Sequence, residues 1–373
     1  MSDPAHRRRR HWLGATMALV LLPLDRARAQ AAGFVPQALP VERIAAERLA
    51  EDGTAPPLHK PIHSSGELLP VIGLPAGICG EPDNRAAVLT AESIGHFLQA
   101  GGRVIHLETD CENVLTALGA MLARGTAHER LFTAIRIDGA DAAAVRARLE
   151  TVRQHLHITR IDLVCVHDGD APVEALAALD ALKKEGRIRH VGLASTHLPA
   201  AGFEQILKRG TADFIETDFS LDRRDADEWL LPFALEHEIA VLATSPFGDG
   251  SLLQAAQRQP LPKWSADFGC TSWNQFFLKY AVSHPAVTCV IPDRVQTASL
   301  FSSGPLIIDG ASSVEPGVPG NPRGDVAAGG RAAAGSRAAP IDLIADYAAA
   351  ARNPMPDSVE RKRMERFADA LRR

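Results

Sequence analysis

Between residues 71 and 291, short apolar runs alternate with longer stretches whose apolar positions recur every three or four residues. The runs are Val71 to Leu74, Val104 to Leu107, Leu131 to Ile137, Ile161 to Val166, His190 to Ala194, Phe214 to Thr217, Ala240 to Thr244 and Thr288 to Ile291. Continuous apolar runs of this length predict strands buried on both faces. Among the intervening stretches, "AAAVRARLETVRQHL" and "VEALAALDALKKEG" carry helix spacing, and Gly186 supplies a stop for the second. Eight such units predict an α/β fold of the (β/α)8 TIM-barrel type. An open doubly wound sheet is the alternative, and the first strand is not followed by a GxGxxG turn.

The pattern breaks at both ends. Residues 309–340 turn into Gly, Ala, Pro and Ser with few large apolar side chains, which predicts a flexible linker. Helices are expected beyond it, over Ile341 to Ala350 and Asp357 to Leu371, the second with a basic, solvated face. Upstream, residues 30–60 read as a Pro-rich extension with a short helix over Val41 to Ala50. Residues 1–29 combine Arg7 to Arg10, the apolar "HWLGATMALVLLPL" and the small-x-small "ARA" of an export signal. The apolar run falls short of the roughly 20 residues of a membrane span, so no stable anchor is expected. "RRHWLG" has the twin-arginine form, which predicts export of a folded protein to the periplasm. The barrel itself is assigned to residues 61–308 and the C-terminal helices to 341–373.

Composition narrows the partners. With 46% hydrophobic and 23% charged residues the chain is ordinary for one globular core, and a net charge of -5 with dispersed arginines excludes a nucleic-acid footprint. A monomer that takes a small-molecule ligand is expected. The five cysteines are Cys79, Cys111, Cys165, Cys270 and Cys289; odd in number and without CxxC, they suggest neither a disulfide framework nor a zinc knuckle. Cys165 and Cys289 lie inside apolar runs and read as small buried hydrophobes.

In order along the chain, "PIHSSGELLPVIGLPAG", "GGRVIHLETDCENVLTALG", "LFTAIRI", "RIDLVCVHD", "LKKEGRIRHVGLAS", "LLPFALEHEIAVLATSPFGDGSLL" and "AVTCVIP" each resemble a segment of the aldo-keto reductases. The resemblance covers about 230 residues and implies NAD(P)H-dependent reduction of a carbonyl at the C-terminal ends of the barrel strands. The family's aspartate, tyrosine, lysine and histidine fall on His106, Cys111, Arg136 and His167, so only the histidine is retained. Both tyrosines of the chain, Tyr280 and Tyr347, lie far along the sequence from the loop that carries Cys111. The Cys111 thiol can donate a proton with Arg136 nearby, but its side chain is shorter than a tyrosine's and requires a substrate bound deeper, and Arg136 keeps the lysine's charge without sharing its proton.

For NADPH, the resemblance places Ser195 and Thr196 on the nicotinamide amide, Glu216 in place of a glutamine with the same task, and Phe219 as the stacking aromatic. It places Ser245, Phe247 and Gly250 in a loop that approaches the diphosphate, and leaves Arg294 as the nearest phosphate partner, with Asp293 beside it. Pro75 and Ala76 stand where the family has Gly-Thr, and Ser299 where it has an arginine. Two other readings remain open. Cys111, His106 and His167 are candidates for a thiol or metal site with Glu108, Asp110 and Glu112. Otherwise the barrel is a ligand-binding or scaffold protein that has lost the reaction.

Overall fold

The computed structural model describes residues 56–80, 85–107, 112–123, 129–138, 141–167, 172–195, 207, 212–256, 259–293, 301–303 and 340–371. All eight predicted strands form, as β3 (Leu74–Pro75), β6 (Val104–Leu107), β7 (Phe132–Ile137), β8 (Ile161–His167), β9 (Ile188–Ser195), β10 (Phe214–Asp218), β11 (Ala240–Thr244) and β12 (Val287–Val290). They pair in parallel in that order, and a bridge between Ile72 and Val290 joins the last to the first. The Gly73 amide donates to the Val290 carbonyl and the Val290 amide to Val71, both at 2.9 Å, so no sheet edge is left open there. The protein is a (β/α)8 barrel.

Alternation along each strand sorts its residues into an inner and an outer set. Val104, Phe132, Ala134, Leu163, Cys165, Ala194, Phe214, Ala240, Leu242, Cys289 and Ile291 fill the interior. The alternate residues of the same strands face the helices α1 (Ala91–Gln99), α2 (Glu112–Leu122), α3 (Ala142–Leu156), α4 (Pro172–Lys184), α5 (Asp225–Glu228), α6 (Leu230–Glu236), α7 (Ser251–Ala256) and α8 (Trp273–Val282). Caps mark several ends: Asp141 accepts from the amides of Ala143 and Ala144 at 2.9 Å, and Gly186 takes φ +72° after α4.

A hairpin of β1 (His59–Pro61) and β2 (Leu68–Pro70) closes the foot of the barrel, with Ile62 and Leu69 plugging the interior. Glu67 on the hairpin pairs with Arg103 and Arg189, and Arg189 pairs with Asp162 at 2.8 Å. At the other end a three-stranded antiparallel sheet forms from β4 (Gly77–Gly80), β5 (Arg85–Leu89) and β13 (Phe301–Ser303). It joins the chain leaving the first barrel strand to the chain that has left the eighth.

The helix expected as the start of a C-terminal extension, α9 (Pro340–Ala350), packs against both α1 and α8. That is the place of the barrel's eighth helix, and it is reached 49 residues after Val290 (339 − 290). Leu343, Ile344 and Tyr347 are its buried face. The final helix, α10 (Ser358–Leu371), begins with a reciprocal cap in which Glu360 N donates to Asp357 and Asp357 N to Glu360, both at 2.8 Å. Its Arg363 lies over the Trp264 ring at 4.3 Å. Among the described residues no helix is long and apolar enough to cross a membrane. The predicted export signal, the helix at Val41 to Ala50 and most of the linker fall outside the described residues.

Candidate active site

The strands' C-terminal ends converge at one mouth, and alternation decides what reaches it. The inward positions of the last turns are His106, Arg136, Cys165, His167, Glu216, Asp218 and Thr244, each two or four residues from a residue of the inner core. Strand register supports this: Arg136 pairs with Cys165, and His167 and Glu216 are each level with Ala194.

Glu216 is the centre of the arrangement. Its side chain is 1% exposed, and its two oxygens accept from different donors. His106 Nε2 lies 3.1 Å from Oε2, and Arg136 Nη1 lies 3.0 Å from Oε1. The thiol of Cys165 also hydrogen-bonds the carboxylate. Burial pushes the Glu216 carboxyl up, but the His106 and Arg136 groups and the thiol outweigh it and hold its pKa below the ordinary glutamate value. Cys165 moves the other way, raised well above the usual thiol range first by burial and then by the neighbouring carboxylate. It is a thiol, and a hydrogen-bond donor. Because a carboxylate only accepts, the His106 nitrogen facing it carries hydrogen.

The cation on the third strand therefore does have a carboxylate partner, supplied by the sixth strand instead of the second. His106 supports that carboxylate rather than the arginine. Glu216, which the resemblance places on the nicotinamide amide, is buried and held on both oxygens, and it anchors Arg136.

Phe219, which the resemblance makes the stacking aromatic, packs elsewhere in the described structure. It lies at an odd position after β10, which turns it out of the barrel, and its ring is 1% exposed. It stacks on Tyr280 at 5.5 Å and meets His284 edge-on at 5.5 Å, so it offers no face to the mouth. Tyr280 itself sits on α8 and donates to Glu365 at 3.1 Å, while Tyr347 is buried on α9. Both tyrosines of the chain thus lie outside the barrel wall. Ser195 ends β9 and is buried. Phe247 is fully buried against Phe277 and Tyr347, so it serves its loop through its backbone.

That loop runs from Ser245 to Gly250 and takes positive φ at Ser245 (53°), Gly248 (61°), Asp249 (54°) and Gly250 (92°). Its amides are engaged: Phe247 N donates to Asp293 Oδ2 at 2.7 Å, and the Asp249 amide also bonds that carboxylate. Asp218, which sequence reasoning passed over, accepts from Thr244 at 2.8 Å and from Arg223 at 2.8 Å. Its inward parity two residues after Glu216 was the available signal. Glu112, a candidate metal ligand, is exposed on α2 and faces His155 at 3.4 Å. Among the described residues no three His, Cys, Asp or Glu side chains are placed to hold a metal ion. Cys111, Glu108, Asp110, Thr196, Arg294 and Ser299 lie outside the described residues.

The aldo/keto reductase family model matches residues 111–300, just over half of the chain. The chain belongs to the aldo/keto reductase family. The NADH-specific methylglyoxal reductase of Escherichia coli is 30% identical over 125 residues, and the uncharacterized oxidoreductase YqkF of Bacillus subtilis 29% over 165. These matches cover 32% and 42% of this chain, and only 38% and 52% of the relatives' own lengths. An aldo/keto reductase from Klebsiella pneumoniae, solved in complex with NADP and acetate, superposes with a TM-score of 0.60 at 19% identity over 83% of this chain and 94% of its own. An aldo-keto reductase from Bacillus halodurans in its holo form does so with 0.55 at 18% identity, covering 83% and 96%. At these identities the structures share the fold.

Among the described residues, three positions that the resemblance assigns to the nicotinamide cofactor are engaged within the protein: Glu216 is buried against Arg136, the Phe219 ring packs outside the wall, and the Phe247 amide holds the Asp293 carboxylate.

Proposed function

We propose that this aldo/keto reductase barrel binds a small carbonyl or carboxylate compound at its mouth, with Arg136 and His167 as the recognising donors, and has given up hydride transfer. The observation that carries this reading is the Arg136 to Glu216 ion pair buried beneath the mouth. Reduction requires an acid poised to protonate the carbonyl oxygen and a neighbouring cation that can share a proton with it. Here neither tyrosine reaches the interior, and the cation is an arginine held by Glu216 at 3.0 Å, which has no proton to share. A decayed barrel would fill the same space with apolar side chains, because desolvating a charge pair opposes folding. The presence of His106, Arg136, Cys165 and Glu216 together therefore favours a working polar site over an inert scaffold.

Export through the twin-arginine route is part of the proposal. A compartment outside the cytoplasm has no evident supply of reduced nicotinamide, which agrees with a binding role.

Pyruvate carries both functional groups and is the probe. Calorimetric titration into the full chain is expected to show saturable binding that Arg136→Met abolishes, and NADPH is expected to remain unoxidised when methylglyoxal is added. NADPH turnover with methylglyoxal, lost in His167→Gln, would overturn the binding reading and assign a carbonyl reductase with His167 as its acid.

A further inference from the structure

His190 lies inside the foot of the barrel. On β9 it is level with Leu163 of β8, a residue of the interior. The Phe132 ring stacks on it at 6.1 Å and Phe214 meets it edge-on at 5.8 Å. The residue is 4% exposed, and neither ring nitrogen has a hydrogen-bond partner among the described residues. An imidazole so placed forgoes the bonds that water would give it, a cost that an apolar ring would avoid. What histidine offers there and phenylalanine does not is a proton site that fills just below neutrality. As a neutral ring it belongs to the aromatic cluster; as a cation it becomes a buried charge among groups already committed. The nearest carboxylate oxygen, Asp213 Oδ2, is 3.9 Å from Nδ1 and already accepts from Lys183 Nζ at 2.6 Å and from the Val191 amide at 2.9 Å. Glu67 of the hairpin is divided between Arg103 and Arg189, and Asp162 of β8 is also paired with Arg189.

The hairpin that plugs the foot depends on the same groups. Its Ile62 and Leu69 share the interior cluster with Phe132 and Phe214, and Ser64 of its turn hydrogen-bonds Asp213. Its first strand is pinned separately, because Lys60 Nζ donates to the carbonyls of Val282, His284 and Val287 at 2.7, 2.9 and 2.6 Å. The part from Ser64 to Leu69 is therefore free to lift about Lys60 as about a hinge. We propose that this hairpin is an acid-released plug with His190 as its sensor: a proton on His190 draws Asp213 away from Lys183 and Ser64, and the turn lifts to let water reach the new cation. The closed plug resists that proton. Burial is the largest influence on the ring; the Asp213 charge opposes it, Arg189 and Lys183 reinforce it, and Glu67 opposes it weakly, so that the pKa lies below the ordinary histidine value. A group whose folded pKa is depressed in this way binds its proton more readily once the plug is open, so acid favours the open form. Release begins as pH falls through the ordinary histidine range, and is absent above it.

Hydrogen exchange of the full chain, corrected for the intrinsic pH dependence of amide exchange, reads the plug through two amides. Ile62 N donates to Glu67 and Gly66 N to Ile62, both within the hairpin. From about pH 7.5 to about pH 5.5 their opening constant is expected to rise about threefold to tenfold, a decade being the ceiling for one histidine over that interval. The Phe276 amide, which donates to Ser272 at the start of α8, is expected to show no such rise. His59 and His63 are exposed on the same hairpin and titrate in every variant, so His190→Phe and His190→Gln isolate the buried ring. In both variants the hairpin amides are expected to open independently of pH over this interval. Three results would overturn the proposal: a wild-type change below about twofold, a rise equally large in a folded His190 variant, or a rise shared by the Phe276 amide, which is unfolding of the whole barrel. The first and third are read on the wild type alone and need no variant to fold.

Discussion

A carboxylate with 1% of its side chain exposed stays ionised only where donors surround it, and Glu216 has three. Replacing it with Gln keeps the shape and removes the charge, leaving the Arg136 guanidinium half-buried without its anion. Glu216→Gln is expected to lower stability by about 3 kcal/mol in urea unfolding at neutral pH. A loss below about 1 kcal/mol would mean that the pair is ordinary surface chemistry. Asp293 makes the opposite prediction. Its folded pKa is raised from an ordinary 3.8 to about 7, so the folded state holds a proton that the unfolded state has released. Below the lower value both states are protonated and nothing is lost; stability then falls as pH rises from 3.8 to about 7 and is flat above. Asp293→Asn should therefore become progressively more stable than wild type across that window, as read from urea midpoints. A difference that does not change with pH would refute the buried, ionising carboxylate. His106, Arg136 and His167 were placed by the resemblance, which puts them near the C-terminal ends of the second, third and fourth barrel strands, and that is where they lie. The identity of the carboxylate partner was not, because Glu216 lies 110 residues from His106 and 80 from Arg136. Only strand parity joins them.

Strands and helices were the clearest part of the chain, because an apolar run bounded by turns has few other uses in a parallel barrel. The eighth helix escaped for a related reason. Periodicity identifies a helix but not its slot, and α9 follows its strand after a stretch as long as a whole βαβ unit. Helix packing also sets one prediction against propensity. Gly119 in α2 sits so close to the backbone of α3 that a Cβ would overlap the His155 carbonyl oxygen. In an exposed helix, Gly to Ala gains up to about 1 kcal/mol. Gly119→Ala is instead expected to lower the thermal midpoint, since backbone cannot retreat as a flexible side chain can. A raised midpoint would mean that α2 and α3 are further apart than described.

On the scale of the whole molecule, the barrel wall is complete only when α9 is in place. Its buried Leu343, Ile344 and Tyr347 cover α1 and α8, and the Leu58 amide at the foot donates to Ala351 at 2.7 Å. A chain ending at residue 339 is expected to lose its cooperative melt and to bind a dye for exposed apolar surface. A sharp transition in that truncation would show that the ring folds without α9.

The eighth unit of this ring is thus held shut by a clasp that follows β13 after 36 residues, 304–339, rather than by a short turn. A clasp recognises the gap by shape alone, so a neighbouring molecule's clasp fits as well as the chain's own. Ring and exchanged pair contain the same contacts and differ only in how concentrated the clasp is around its gap. Crowding the protein above that level, and not altering any residue of the mouth, is what would turn separate barrels into linked ones.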